Sequence, residues 1–405
     1  MKFKYKGQQK TGIIVEGVAD APDKFALARQ FRDQDITIIS AVEFKTGFSM
    51  EIKFLSSIFD RITIHEKIVF LRNLSGMLSA GLTLFRALGV LERQTTNAAF
   101  RKVITSLMEE INRGGTLSDG MHNSPRVFPM LFVSMVRAGE ESGTLSQTMK
   151  EISNHLEKTY LLNKKIKSAM TYPAIIMSAV VLIGILMLTF VVPTLTKTFK
   201  EMNVALPAST QFIIWISDFL SQHFFAAIFT LLGIVIGAIY LARLPIVMRI
   251  LDIVILKIPV VGPLAKEVNA SRTARTLSSL LNAGVDMSRS ILITKDVLQN
   301  SLYKKVLDDA SHAIEKGIPL SSVFKDNPKL YPIMVGEMIE VGEETGALSK
   351  MLLDIATFYE EDVDTKTKDL STIVEPVLMI MIGGAVGFFA VSMISPMYSL
   401  LDNIQ

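Results

Sequence analysis

Three stretches of the chain are apolar almost without interruption. The first lies between Pro173 and Pro193, PAIIMSAVVLIGILMLTFVVP, with nineteen uncharged residues between the prolines. Wound as a helix, they reach about 28 Å, close to the thickness of a bilayer's hydrocarbon. The second lies between Asp218 and Arg243 and centres on FFAAIFTLLGIVIGAIYLA. The third lies between Glu375 and Asp402, PVLMIMIGGAVGFFAVSMISPMYSLL. Their length and lack of charge predict transmembrane helices over 169–195, 219–242 and 373–398, rather than buried helices of a soluble core.

Elsewhere the apolar spacing is that of half-buried helices. In HEKIVFLRNLSGMLSAG, residues Ile68, Leu71, Leu74 and Leu78 recur three and four apart, which puts them on one face. Gly81 suits the residue just past the helix end. Further helices are predicted over Thr83–Arg93, Asn97–Arg113, Thr116–Met121 and Pro129–Glu141, with a long one from Thr144 toward the first span. Six helices with brief connections make a small bundle. The first 44 residues differ. KFKYKG and TGIIVEGVA read as strands around a polar turn, PDKFALARQFRDQD as a helix and ITIISAVEF as a strand. This predicts a ββαβ module over 1–44, with a linker over 45–63.

The pattern occurs twice. From Gly139 to Gly342 is a shift of 203 residues, and at that shift the halves align without a gap. RNLSGMLSAG (Arg72–Gly81) meets RTLSSLLNAG (Arg275–Gly284), and GEESGTL meets GEETGAL. Asn97 meets Asn300, Pro125 meets Pro328, Pro129 meets Pro332, Pro173 meets Pro376 and Pro193 meets Pro396. Self-similarity of this length means that one structural unit is duplicated. Spans one and three are therefore equivalents, and span two brings the chain back so that both bundles lie on one side.

Lys and Arg near the spans set the side. Lys158, Lys164, Lys165 and Lys167 precede span one, Arg243, Arg249 and Lys257 follow span two, and only Lys197 and Lys200 lie between. The expected fold class is mainly α: a polytopic membrane protein with two homologous cytoplasmic helical bundles, three transmembrane helices and a small N-terminal ββαβ module. The bundles fall over 64–168 and 267–371. A periplasmic loop covers 196–218, a juxtamembrane linker 243–266 and a periplasmic tail 399–405.

Composition narrows the chemistry. The 405 residues are 49% hydrophobic and the mean hydropathy is +0.39, as membrane segments require. A net charge of +3 gives no sign of a nucleic-acid binder. With no cysteine, disulfides, thiolate metal sites and thiol catalysis are excluded. MKFKYKGQQKTG has no apolar core, so no cleavable signal peptide is expected. No G-x-x-x-x-G-K-[ST] phosphate loop and no G-x-S-x-G elbow occurs. HEKIV at His65 lacks the second histidine of a zinc motif, and His65, His122, His155, His223 and His312 are scattered. No catalytic, cofactor or metal site is expected.

The duplicated acidic pairs, Glu140 with Glu141 and Glu343 with Glu344, are the candidate site. Adjacent helical residues point about 100° apart, which disfavours a shared catalytic atom. Corner geometry with solvation, docking of a partner, and metal or catalytic work all stand as readings. In the first, Ser142 or Thr345 would cap the following helix, and the carboxylates would sit near its positive end. Glu375, at the edge of span three where the first copy has Tyr172, reads either as an interfacial carboxylate or as a contact for a partner's membrane helix.

ARTLSSLLNAGV, the paired GEESG and GEETG, KIKSAMTYPAIIM with its later Pro193, and STIVEPVLMIMIGGAVGFFAVSMISPMY carry a resemblance. Over nearly the whole chain, the sequence resembles the inner-membrane platform proteins of type II secretion (protein F) and type IV pili (PilC). The resemblance implies a non-enzymatic scaffold of the bacterial inner membrane, and the Lys and Arg bias places the N-terminus and the 243–370 region of this multi-pass chain in the cytoplasm. Implied partners are a hexameric assembly or secretion ATPase, pilin or pseudopilin subunits, other inner-membrane assembly proteins and further copies of the chain. A polytopic transporter would use more spans with polar groups at mid-membrane, and a membrane-embedded enzyme would need a clustered site.

Overall fold

A computed structural model describes residues 2–9, 14–23, 26, 31, 36–44, 61–201, 206–259 and 261–402. The chain divides into two units, 1–61 and 62–405.

In the first unit, β1 (Lys2–Gln9) is the central strand, antiparallel to both β2 (Ile14–Asp20) and β3 (Ile36–Phe44), in the order β2-β1-β3. Lys2 faces Asp20 on one side and Phe44 on the other, with a bulge at Lys6/Gly7 in the second ladder. The helix expected between β2 and β3 lies outside the described residues except for Ala26 and Phe31. The linker expected over 45–63 lies outside them as far as residue 60.

The second unit is helical among its described residues. Its first bundle comprises α1 (Ile64–Ser79), α2 (Leu84–Gln94), α3 (Ala98–Asn112), α4 (Leu117–His122) and α5 (Met130–Glu141). The start of α6 (Leu145–Leu186) completes it. Thr63 opens α1 with a capping box: its hydroxyl accepts from the Glu66 amide while Glu66 reaches back to the Thr63 amide at 2.6 Å. Asn97 caps α3 and Thr116 caps α4. Leu71, Leu74, Leu88, Ile104, Leu107 and Met149 meet in the core, each at most 1% exposed.

A π-turn (Met187–Val191) follows α6, then α7 (Val192–Glu201), α8 (Ala208–Gln222), α9 (Phe224–Ala242) and α10 (Pro245–Lys257). The second bundle repeats the first with α11 (Val261–Asn282), α12 (Met287–Val297), α13 (Ser301–Glu315), α14 (Leu320–Lys325) and α15 (Ile333–Thr345). The start of α16 (Leu348–Asp402) closes it. Its core gathers Leu277, Tyr303, Phe324, Tyr331, Ile339 and Ile355. Positive φ angles at Gly81, Gly114 and Gly143 recur at Gly284, Gly317 and Gly346, so each repeat turns its corners at the same three places.

The last helix of each repeat leaves its bundle and continues through the apolar stretch. Residues 145–201 and 348–396 form two helices long and apolar enough to cross a membrane. A third is reached only if α9 and α10, bent 87° from one another, count as one span. The π-turn lies just before Pro193, where a missing N–H would interrupt an ordinary helix. Segments read from the sequence as connections are themselves partly helical: α8 falls within 196–218 and beyond, and α10 within 243–266. The Ser217 hydroxyl donates to the Leu188 carbonyl, and the Thr210 hydroxyl to that of Ser392, tying α8 to both long helices.

Candidate functional site

The repeated G-E-E-[ST]-G corner has a separate physical reason for each position. α5 must lie almost against α6 here. A Cβ on Gly139 would come within 2.3 Å of Thr148 Oγ1, and one on Gly342 within 2.8 Å of the Leu348 backbone. The closing glycines, Gly143 and Gly346, hold φ of +70° and +69°, which carries the chain from one helix into the next.

The first glutamate of each pair points inward. Glu140 accepts the backbone N–H groups of Leu117 at 2.6 Å and Ser118 at 3.1 Å. Glu343 accepts those of Leu320 at 2.6 Å and Ser321 at 3.2 Å, and the Ser321 hydroxyl at 2.5 Å. These amides open the short helices α4 and α14, where no earlier turn supplies carbonyls. A carboxylate there satisfies the orphan donors and meets the positive helix end. An ion pair braces the same two helices in both repeats with the polarity reversed. In the first it is Arg137 to Asp119 at 3.0 Å, in the second Lys325 to Glu340 at 2.6 Å.

The hydroxyls do not cap the next helix, contrary to the sequence expectation. Ser142 donates back to the Ala138 carbonyl at 2.7 Å and Thr345 to that of Val341 at 2.6 Å. They close the helix that is ending, because the left-handed glycine turns the following amides away from them. Glu140 and Glu343 likewise meet the positive end of a helix that precedes them in sequence, not of the one that follows.

Glu141 and Glu344 are exposed, as is Glu375 on α16. The pairs are thus split by role: Glu140 and Glu343 hold the bundle together, while Glu141 and Glu344 face outward. Among the described residues, no group of three or more His, Asp or Glu side chains is placed to hold a metal.

The two bundles also join each other, which the sequence did not announce. α5 and α6 of the first pack on α11 and α12 of the second, and Leu280, Ala283, Val285 and Ile293 enter the first bundle's core. His155, 5% exposed, lies edge-on to Phe132 and within 3.1 Å of the Ser279 hydroxyl. Burial pushes its pKa down to about 4, and the Arg275 charge adds to the effect. Further along α6, Asn163 accepts from Arg272 at 2.6 Å and Lys165 pairs with Asp364 at 2.9 Å. Beneath this joint, Arg275 holds Glu360 through two contacts. One signal was available: Arg72 and Glu157 stand 203 residues before that pair and hold each other at 2.6 Å.

The two repeats share the Asn97 and Asn300 caps, the glycine corners and the Arg72–Glu157 and Arg275–Glu360 pairs. The sequence profile for "Type II secretion system (T2SS), protein F" matches residues 70–193 and again 273–396, the same 203-residue repeat. The chain belongs to the type II secretion system protein F family. It is 33% identical to a type IV pilus assembly protein PilC of Thermus thermophilus, over 100% of this chain and 99% of that one. It is 30% identical to a PilC of Myxococcus xanthus, over 100% of this chain and 96% of that one. A type II secretion system protein F of Vibrio cholerae is 27% identical over 98% of each chain. These three relatives align with 98–100% of this chain.

Proposed function

We propose that the chain is a non-enzymatic platform of the bacterial inner membrane. It couples a cytoplasmic, hexameric secretion ATPase to assembly of a type IV pilus or a type II secretion pseudopilus. The observation that carries this reading is the continuity of α6 and α16. Each begins among core residues of its bundle, Met149 and Ile152 in one, Leu352 and Ile355 in the other. Each then runs on as one helix into side chains that are apolar and exposed, such as Ile175, Val181 and Leu182, or Val377, Met379 and Ile380. A helix of 42 residues is about 63 Å of stiff rod. A push on the bundle is delivered along that rod to subunits in the bilayer.

In this reading the chain crosses the membrane three times, with α9 as the second span and with both bundles, the N-terminus and its ββαβ module inside. Glu141 and Glu344 offer outward-facing charge to a basic patch of the ATPase, and Glu375 faces a partner's membrane helix. Pilin or pseudopilin subunits and other inner-membrane assembly proteins gather on the spans, and the chain associates with itself. The relatives named for pilus assembly and secretion support this assignment.

The test is a strain lacking the chain. Surface pili or pseudopilus-dependent secretion should disappear, and the assembly ATPase should leave the membrane fraction. Normal assembly, with the ATPase still at the membrane, overturns the proposal.

A further inference from the structure

Besides the contact of α6 with α16, the bundles meet through unlike faces, α5 and α6 against α11 and α12, and the counterparts of those two faces are left uncovered. The first bundle covers α11 and α12 of the second, but its own equivalent surface, on α1 and α2, is open. The second bundle's α15 and the Phe358 side of α16 are open where α5 and α6 are buried; another side of α16 meets α6 through Val363 and Asp364. Such a contact between unlike faces repeats from copy to copy.

At particular equivalent positions the open faces carry apolar groups where the buried ones carry polar groups. In the joint, His155 meets Ser279; at the equivalent positions stand Phe358, 48% exposed, and Gly76, whose absent side chain leaves open space. Arg272, bonded in the joint to Asn163, is replaced on the open face by Val69, 42% exposed. Solvent-facing positions are ordinarily the more polar ones, and clustered exceptions mark contact surfaces.

The shapes agree as well. Arg272, Thr276, Val297 and Gln299 line a groove that α6 covers with His155 and Asn163. Their equivalents Val69, Asn73, Gln94 and Thr96 line an open groove of about 300 Å³ on the first bundle. The segment of α16 equivalent to the covering part of α6 presents Phe358, while Lys366 and Lys368 further along are paired with Glu267, Asp362 and Asp364 of their own bundle. An aromatic ring over a glycine beside Val69 buries apolar surface.

We propose that the α1/α2 groove of one copy receives the Phe358 face of α16 from a second copy of this chain, repeating between copies the joint found within one. This rests on the self-association in the functional reading above and assigns its surface.

The chain contains no cysteine, so engineered thiols report without background. Gly76→Cys and Phe358→Cys are placed on two differently tagged full-length copies, expressed together in native membranes and oxidised. Cross-links should join the two tags and be lost when either variant is expressed alone. Phe358→Asp should convert the detergent-solubilised oligomer to monomer with no change in melting temperature. An oligomer that gives no 76–358 cross-link and withstands Phe358→Asp, or one that cross-links 358 to 358, overturns this surface but leaves self-association standing. A chain that is monomeric in its membrane overturns both.

Discussion

Arg275 and Glu360 hold each other at 2.6 and 2.8 Å with side chains only 11% and 14% exposed, whereas Arg72 and Glu157 make the same contact 59% and 41% exposed. The difference is the covering bundle. Both pairs join the first helix of a repeat to its last, but only the second lies beneath the joint. Removing one partner of a buried pair strands the other charge, which costs about 3–5 kcal/mol, while an open pair is worth about 1 kcal/mol or less. Arg275→Ala should therefore lower the thermal midpoint of the solubilised chain markedly, and Arg72→Ala barely.

The acidic corners should divide in the same manner. Glu140→Ala leaves the Leu117 and Ser118 amides without a partner, a loss of about 1–3 kcal/mol. Glu141→Ala should stay within about 0.5 kcal/mol. Hydrogen exchange resolved to α4 checks this: its first amides should lose protection in the Glu140 variant and keep it in the Glu141 variant. Glu343 and Glu344 should behave alike over α14.

Much of this was legible in the sequence, and the misses have physical causes. Helix limits such as Leu84–Gln94 and Ala98–Asn112 follow the apolar spacing and the caps within a residue or two, because these are local effects. The 203-residue repeat was legible by identity alone. The inward role of Glu140 was not: its partners lie 22 and 23 residues back, and a surface acid looks the same in sequence as a capping one. The sequence suggests a forward cap at Ser142 because bonding back to the preceding turn leaves no pattern of its own. The joint was invisible because it brings together His155 and Ser279, residues 124 apart.

Glycine replacements should separate backbone from side-chain crowding. Gly342→Ala meets the Leu348 backbone, which cannot move without shifting α16, whereas Gly139→Ala meets the Thr148 side chain, which rotates away at the cost of its hydrogen bond. Thermal unfolding should rank Gly342→Ala below Gly139→Ala.

The joint should weaken in acid. His155 is held neutral, with its pKa lowered to about 4 by burial and by Arg275, against 6.5 when unfolded. Above 6.5 both states are neutral and the shift contributes nothing. As the pH falls from 6.5 to 4, only the unfolded state gains the proton. Stability is lost across that window, up to about 3 kcal/mol. Glu360, bound to Arg275, faces the same site, so the comparison is with His155→Gln. The pH dependence of bundle separation, followed by a fluorophore pair across the joint, should flatten in that variant.

The platform role is tested most directly by reconstitution. The purified chain is placed in lipid nanodiscs, and ATP hydrolysis is measured with and without the cognate assembly ATPase. The expected result is no turnover by the chain alone, stimulated turnover by the ATPase in its presence, and loss of that stimulation in a stable variant carrying Glu141→Lys and Glu344→Lys. ATP turnover by the chain alone, abolished by a point substitution within it, would contradict the account.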